Sequence, residues 1–452
     1  MLIRRLPKGP TDPKQRRRLV WKRFFLGIIV LLVGVAAWVG ITGALALKNI
    51  TAKNTNETPS FFKYGNNITP DQLLTEGDAR INILLLGVDS AAGLTDSIQI
   101  ASIDPINHDV AMLSVPRDLY VTNPAKKRKT RINEVYRDSS KSCTKKTTTC
   151  DPAIDYGAKA LEDLLSDLLG VKVSYFSKVD FDGLKKLVDS VGGVQIYVEK
   201  ALSDPAFPNR NYSGFDPFFV KAGLQTMNGE LALKYARCRG GNCGGDFGRA
   251  KRQQQVVMAI REKATSLNII TNPQKLTSMI NAAGKGFKTD LSIDQIAQLY
   301  KLIKDVETAS IDSAVLDNST EGVLKNVTIG GAYLLIPKLG ENDWSGVRDF
   351  VSATFPEPYL VKEKTTITIV NASGKATLAT TVSTKLKQLG YNVTVTETAA
   401  TAQTVTTIKY FDDKSPYTIA LLKKRFGVTP TKSKSDTAIT TQIVITLGSS
   451  YK

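Results

Sequence analysis

The sequence predicts an α/β fold: a mixed central sheet covered by helices, then a small C-terminal α+β domain, all after one N-terminal transmembrane helix. Three observations carry this. Continuous apolar runs at 80–88 (RINILLLGV), 97–103 (SIQIASI) and 110–115 (VAMLSV) have the pattern of strands buried on both faces. Helical periodicity at 154–169 (IDYGAKALEDLLSDLL) follows them, so helices cover the sheet. From residue 361 the pattern alternates strand, helix, strand, strand, helix, strand, which reads as a ferredoxin-like β-α-β-β-α-β sandwich.

Taken from the start, the first 23 residues carry nine Lys and Arg against Asp12, and residues 24–47 (FFLGIIVLLVGVAAWVGITGALAL) carry no charge. As a helix that run spans roughly 36 Å, enough to cross a bilayer, and the basic flank holds the N-terminus in the cytoplasm. The run is longer than a typical signal-peptide core, and no convincing small-x-small cleavage site precedes Lys48. The remainder is therefore expected outside the cell membrane. Residues 48–78, polar and rich in Asn and Thr, read as a spacer that lifts the first domain off the membrane. A catalytic domain is expected over 79–358, with its motifs in 80–260. In it 173–180 reads as a strand, 181–190 as a short helix, and the stretch from Gly248 (GRAKRQQQVVMAIREKAT) as a long amphipathic helix. The accessory domain is expected over 361–449.

The chain is 452 residues with a formal net charge of +18, of which the N-terminal tail supplies a large share. An exported chain with dispersed aromatics gives no support for nucleic-acid binding. Four cysteines form two close pairs, Cys143 with Cys150 and Cys238 with Cys243. In an external compartment two short-loop disulfides are the economical reading; zinc is the competitor, without the usual ligand spacing. The one histidine, His108, lies in the turn-like DPINHDV, so His-based triads and His-based zinc chemistry find no support. The chemistry must come from carboxylates, arginines and metal.

Asp89 and Asp96 flank a short loop between two strands, at a sheet end where open sheets build ligand crevices. They are a seat for a hard divalent cation such as Mg²⁺ or, more blandly, turn and cap aspartates. Arg117 and Asp118 follow the third run in SVPRDLY. Arg237 and Arg239 share a face if extended, and Arg249 and Gln253, four apart, share a helix face near its N-terminus, with Arg252 in the same run. Guanidiniums gathered in one place call for an anion with many oxygens, and a pyrophosphate accepts several forks at once. No Walker or GxGxxG motif is present, so a nucleotide substrate is not expected.

In the order NILLLGVDS, TDSIQIASIDP, MLSVPRDLYV, RINEVY, VDFDGLKKLVDSVGGV and GLQTMNGELALKYARCR followed by DFGRAKRQQQ, the sequence resembles the LytR-CpsA-Psr family over most of 80–260. Residues 361–449 are similar to the C-terminal domain of LytR-like members, through TITIVNASGKATLATTVSTKLKQLGY and the closing VITLG. The resemblance implies a membrane-anchored phosphotransferase. It would move a wall glycopolymer, of teichoic acid or polysaccharide type, from undecaprenyl pyrophosphate to peptidoglycan. By motif, Asp89 and Asp96 would hold Mg²⁺, and Arg117, Arg237, Arg239, Arg249 and Gln253 would bind the pyrophosphate. Arg117, Asp96 and Arg249 would carry the catalysis. Family members often have arginine where this chain has Leu94, and Arg131 in TRINEVY is the candidate substitute. The general base is open between Asp118 and Asp246. Two other readings stand beside it: a polyprenyl-pyrophosphate phosphatase, and a non-catalytic lipid-pyrophosphate receptor that attenuates envelope responses.

Overall fold

The computed structural model describes residues 52–451 outside 66–67, 74, 90–91, 143–149, 210–212, 246–247, 250–251, 253–254, 257–258, 261–262, 264–265, 268–281, 293–294, 296–297, 300–301, 303–310 and 435–440. These residues divide into two compact units. One holds Ala52, 87–93 and 177–313, and the other 53–86, 94–176 and 314–452. Among the described residues no helix is long and apolar enough to cross a membrane, and the span expected over 24–47 lies outside them.

Strands β1 (Ile81–Asp89), β2 (Leu94–Asp104), β3 (Asp109–Val115), β4 (Tyr120–Asn123), β5 (Arg128–Arg131) and β6 (Tyr175–Asp180) come first. Then follow β7 (Val194–Val198), β8 (Leu202–Asp204), β9 (Phe218–Val220), β10 (Gly223–Met227), β11 (Phe287–Thr289) and β12 (Ile311–Val315). Six of them form the main sheet, in the order β11-β6-β1-β2-β3-β12. β1 is buried at consecutive positions, and β2 pairs antiparallel with β3 from Ile98 opposite Val115 to Asp104 opposite Asp109. The apolar runs are strands, as their composition predicts. Their ends differ: Asp89 closes β1, and β2 opens at Leu94, so Asp96 lies inside the strand rather than before it.

Helices α1 (Ser60–Tyr64), α2 (Val135–Ser142), α3 (Tyr156–Leu169), α4 (Phe181–Ser190) and α5 (Gly229–Arg237) precede α6 (Ser345–Thr354), α7 (Pro358–Glu363), α8 (Leu378–Gln388) and α9 (Pro416–Phe426). α3 shows why this sequence makes a helix here. The Asp155 carboxylate accepts the Ala158 amide at 3.1 Å, Leu161, Leu165 and Leu168 fall on one buried face, and Gly170 ends it at φ 70°.

The expected spacer is a packed segment instead. Phe61, Ile68 and Leu73 are buried, Phe62 meets the Tyr175 ring edge-on at 5.7 Å, and the Ile68 carbonyl accepts the Tyr417 hydroxyl at 2.6 Å. A few apolar residues spaced through a polar stretch are enough to anchor it, which average composition conceals. Ile68, Leu73 and Ala79 share one apolar cluster with Tyr359, Leu360 and the C-terminal Ile367, Ile369, Leu421, Ile443 and Ile445. The Glu76 carboxylate adds a polar tie to the same region. It accepts the Tyr391 hydroxyl at 2.6 Å and both arms of Arg425 at 2.7 and 2.8 Å.

A hairpin of β13 (Leu324–Ile329) and β14 (Ala332–Pro337) precedes the C-terminal sheet. That sheet contains β15 (Thr366–Asn371), β16 (Asn392–Thr398), β17 (Thr407–Tyr410), β18 (Thr431–Lys432) and β19 (Ile443–Leu447), in the order β16-β15-β19-β17-β18. The expected ferredoxin-like pairing is corrected here. A ferredoxin-like fold splits its β-α-β unit by inserting another strand. In this chain β15 and β16, joined through α8, are direct parallel neighbours, and β15 is also parallel to β19. The order of elements along the chain was readable, but which strands pair is set by long-range register that local pattern does not encode.

Glu357 is the least solvated acid of the region. Its carboxyl, 1% exposed, accepts the Gly77 amide at 2.6 Å and the Tyr359 amide at 3.5 Å, and burial pushes it up to about 8 from an ordinary 4.5. A folded-state value above the unfolded one means that the folded form holds the proton longer. Its contribution is fully present below pH 4.5 and is lost as pH rises through about 8. The span is on the order of 4–5 kcal/mol. Thermal midpoints are expected to fall between about pH 5 and 8, and Glu357→Gln to flatten that fall. Parallel pH profiles for variant and parent would remove the assignment.

Candidate functional site

In the second unit, β3 stops at Pro116 and the chain turns, with the Leu119 amide donating to the Pro116 carbonyl at 3.2 Å. The Arg117 carbonyl takes the Asn133 amide at 3.3 Å, the Asp118 carbonyl the Leu335 amide at 3.1 Å, and the Leu119 carbonyl the Ile132 amide at 2.8 Å. The backbone under Arg117 and Asp118 is thereby fixed from both sides. On it stands a chain of alternating charges. Arg117 Nη1 donates to Asp96 Oδ1 at 2.8 Å, Arg117 Nε lies 3.8 Å from Asp118 Oδ2, and Asp118 Oδ1 lies 3.0 Å from Arg131 Nε. Arg131, the last residue of β5, also reaches the Tyr333 carbonyl at 3.4 Å. These side chains are 21–37% exposed, so each can meet a ligand while held by its neighbours. Asp118, one of the two general-base options, is engaged with two guanidiniums and serves to orient them.

The first unit places Asp89 and Arg237 on one small cavity, with Phe181, Phe207 and Lys234 among its other walls. Asp89 is 3% exposed, and its Oδ1 accepts the Ala92 amide at 3.3 Å while its carbonyl accepts that of Gly93 at 2.6 Å. Arg237 ends α5, and its guanidinium lies 4.7 Å from the centre of the Phe181 ring and 5.4 Å from that of Phe207. Two aromatic faces hold a planar cation in place without neutralising it.

The loop after Arg237 is closed by the expected disulfide, Cys238 to Cys243, with Cα atoms 5.9 Å apart. Asn242 straps it to β8: its amide donates to the Ser203 carbonyl at 3.2 Å, its Oδ1 accepts the Ser203 amide at 2.8 Å, and its Nδ2 donates to the Ala201 carbonyl at 2.9 Å. Gly241, at φ 55°, sits so close to β8 that a Cβ would lie 1.9 Å from the Ser203 carbonyl oxygen. Only glycine fits there. Arg239 projects from this loop and is exposed. Cys150 is disulfide-bonded, while Cys143, its expected partner, lies outside the described residues.

Arg252 departs from the grouping read from sequence. It is 5% exposed and its guanidinium donates to three backbone carbonyls, those of Tyr235 at 3.0 Å, Cys243 at 2.7 Å and Cys238. Burial holds it below the usual arginine value, with Tyr235 opposing. It fastens the end of α5 and both ends of the disulfide loop, and so positions Arg237 and Arg239. Arg249 is helical and half-buried; Gln253 and Asp246 lie outside the described residues. Sequence reading missed Asn242, Asp204, which accepts the Gly240 amide at 3.0 Å, and the Phe181 and Phe207 rings. Only the Gly-Gly-Asn between two cysteines signalled a strapped loop.

For a metal, Asp89 and Asp96 offer hard carboxylate oxygens, and Cys238 and Cys243 are consumed by their bridge. Among the described residues no three His, Cys, Asp or Glu side chains are gathered to hold an ion. Carboxylate oxygens are the donor type that suits a hard cation such as Mg²⁺, which takes one or two carboxylates and completes its shell from phosphate oxygens and water.

Residues 40–342 match the LytR_cpsA_psr family, and residues 364–451 match a domain described as LytR cell envelope-related transcriptional attenuator. The chain is 27% identical over 224 residues to the polyisoprenyl-teichoic acid–peptidoglycan teichoic acid transferase TagU of Enterococcus faecalis, covering 48% of this chain and 64% of that one. It is 31% identical over 283 residues to the regulatory protein MsrR of Staphylococcus aureus, covering 61% and 76%. The crystal structure of B. subtilis TagV is similar at 23% identity, with a TM-score of 0.43 over 61% of this chain and 97% of the other.

Proposed function

The chain belongs to the LytR-CpsA-Psr family, and from that premise we propose that it is an extracytoplasmic phosphotransferase. It moves a glycopolymer, of teichoic acid or polysaccharide type, from undecaprenyl pyrophosphate to peptidoglycan, and residues 24–47 anchor it in the cell membrane. What carries this reading is the alternating chain Asp96–Arg117–Asp118–Arg131. Guanidiniums held at defined positions by carboxylates, and still reachable by solvent, suit a ligand rich in phosphate oxygens. The activity in the name of the E. faecalis TagU supports the same reading.

Asp89 and Asp96 would hold Mg²⁺, which when bound supplies charge neutralisation at phosphate oxygens. Arg117 and Arg131 bind and orient the pyrophosphate, and Arg131 takes the place that Leu94 leaves without a cation. Arg237, Arg239, Arg249 and Gln253 share in binding that group. As a sugar hydroxyl attacks in line, negative charge grows on the leaving bridging oxygen, and fixed guanidiniums stabilise it at little reorganisation cost.

The test uses the purified full chain in detergent, a polyprenyl-pyrophosphate-linked oligosaccharide, peptidoglycan fragments and Mg²⁺. Expected products are a phosphodiester-linked glycan on peptidoglycan, seen by mass spectrometry, and polyprenyl phosphate, both lost with chelator. Polyprenyl phosphate released without joined polymer would replace this reading with a phosphatase. Donor binding without turnover would replace it with a receptor.

A further inference from the structure

The second unit has another cleft, of about 480 Å³, whose walls include Pro105, Ile106, Tyr359, Lys362, Lys414 and Tyr417. Ligand sites typically run from roughly 300 to 1,000 Å³. Tyr359 and Tyr417 stack within it, with centroids 3.7 Å apart and planes 8° apart. The Tyr417 hydroxyl donates to the Ile68 carbonyl at 2.6 Å, and Tyr359, 2% exposed, lies beneath it as the floor of the pair.

The charge balance of the cleft is positive. Lys362 and Lys414 are exposed, and neither ammonium has an ion-pair partner among the described residues. The carboxylate facing them, Glu363, is committed elsewhere: it accepts the Tyr417 amide at 3.0 Å and the Thr418 amide and hydroxyl at 2.8 and 2.6 Å, which caps α9. That cap uses up amides at the helix end, so the lysines are what remains for an anion. His108 stands exposed at the same cleft.

We propose that this cleft binds an anionic glycan, with a sugar ring against Tyr417 and Pro416 and its phosphate or carboxylate on Lys362 and Lys414. Aromatic and proline faces suit the C–H side of a sugar, and ammonium groups suit an anionic substituent. Two lysines beside one ring pair are too few to track a nucleic acid backbone. The inference stands apart from the transfer reaction, since none of these residues is assigned to it.

Calorimetric titration of the full chain in detergent tests it with four probes: phosphorylated mannopentaose, oligogalacturonate, neutral dextran oligosaccharide and inorganic polyphosphate. One or both anionic glycans are expected to bind, more weakly in high salt, and the neutral glycan and polyphosphate not. The better of the two identifies phosphate or carboxylate as the recognised group. Lys362→Glu/Lys414→Glu is expected to weaken binding by roughly tenfold or more while the melting curve and transfer to short soluble acceptors stay as in the parent. Equal binding of polyphosphate would reduce the cleft to a charged patch. Absence of glycan binding, or binding indifferent to the double variant, would overturn the proposal.

Discussion

Arg117→Ala is expected to lower the rate of glycan transfer by a hundredfold or more, with the melting temperature nearly unchanged. The two halves of that expectation have separate causes. Arg117 is the cation between the two carboxylates of the alternating chain, bonded to Asp96 at 2.8 Å and facing Asp118 at 3.8 Å. If it stabilises charge that develops only during phosphoryl transfer, its loss costs about 3–4 kcal/mol of barrier, as for removal of a single fixed donor elsewhere. Its contribution to folding is small by the same geometry. Asp96 and Arg117 are 21% and 22% exposed, and partly solvated ion pairs are worth about 0–1 kcal/mol. Arg117→Lys keeps the charge but loses the fork that serves two carboxylates, so it should fall between. Asp96→Ala should resemble Arg117→Ala in rate, and the double variant should lose less than the sum, because the two act as a pair. Full activity in either single variant would reject the assignment.

The contrast between these residues and Arg252 marks how far the sequence could be read. Strands β1 to β3 were legible because burial on consecutive positions leaves a continuous apolar run, and α3 and α4 because a periodic face and a capping aspartate, Asp155 or Asp180, coincide. Arg117 and Asp118 were legible too, since Pro116 ends a strand and charged residues follow at once. Arg249 and Arg252 sit three apart in one run, and nothing local separates a half-buried cation from one that is buried and clamps carbonyls. That difference is made by Tyr235, Cys238 and Cys243, residues 9 to 17 positions away. The same limit hid the strand pairing of the C-terminal sheet and the anchoring of residues 53–78. In each case a short motif fixed the local element, while its partner came from a distant part of the chain.

Arg252 therefore supports a different kind of prediction, in which stability falls first and function follows. Arg252→Met keeps much of the volume and removes the donors, leaving the carbonyls of Tyr235, Cys238 and Cys243 without them in a place where Arg252 itself is 5% exposed. Unsatisfied buried acceptors cost about 1–3 kcal/mol each, and since neighbouring losses overlap, about 3–5 kcal/mol in total is expected. For a unit of this size that is a fall of roughly 10 °C in melting temperature. The Cys238–Cys243 bridge persists in the variant, so the loop stays closed but is no longer fastened to α5. Arg237, still caged by Phe181 and Phe207, should keep its place better than Arg239, whose backbone is part of the loop itself. At temperatures where the variant is folded, the loss should appear mainly as a raised KM for the pyrophosphate donor, with kcat less affected. Arg252→Lys should recover little, because one ammonium cannot reach three carbonyls that a planar fork spans at once. A melting temperature within about 2 °C of the parent would show that the clamp is dispensable, and an unchanged KM would separate it from the positioning of Arg239.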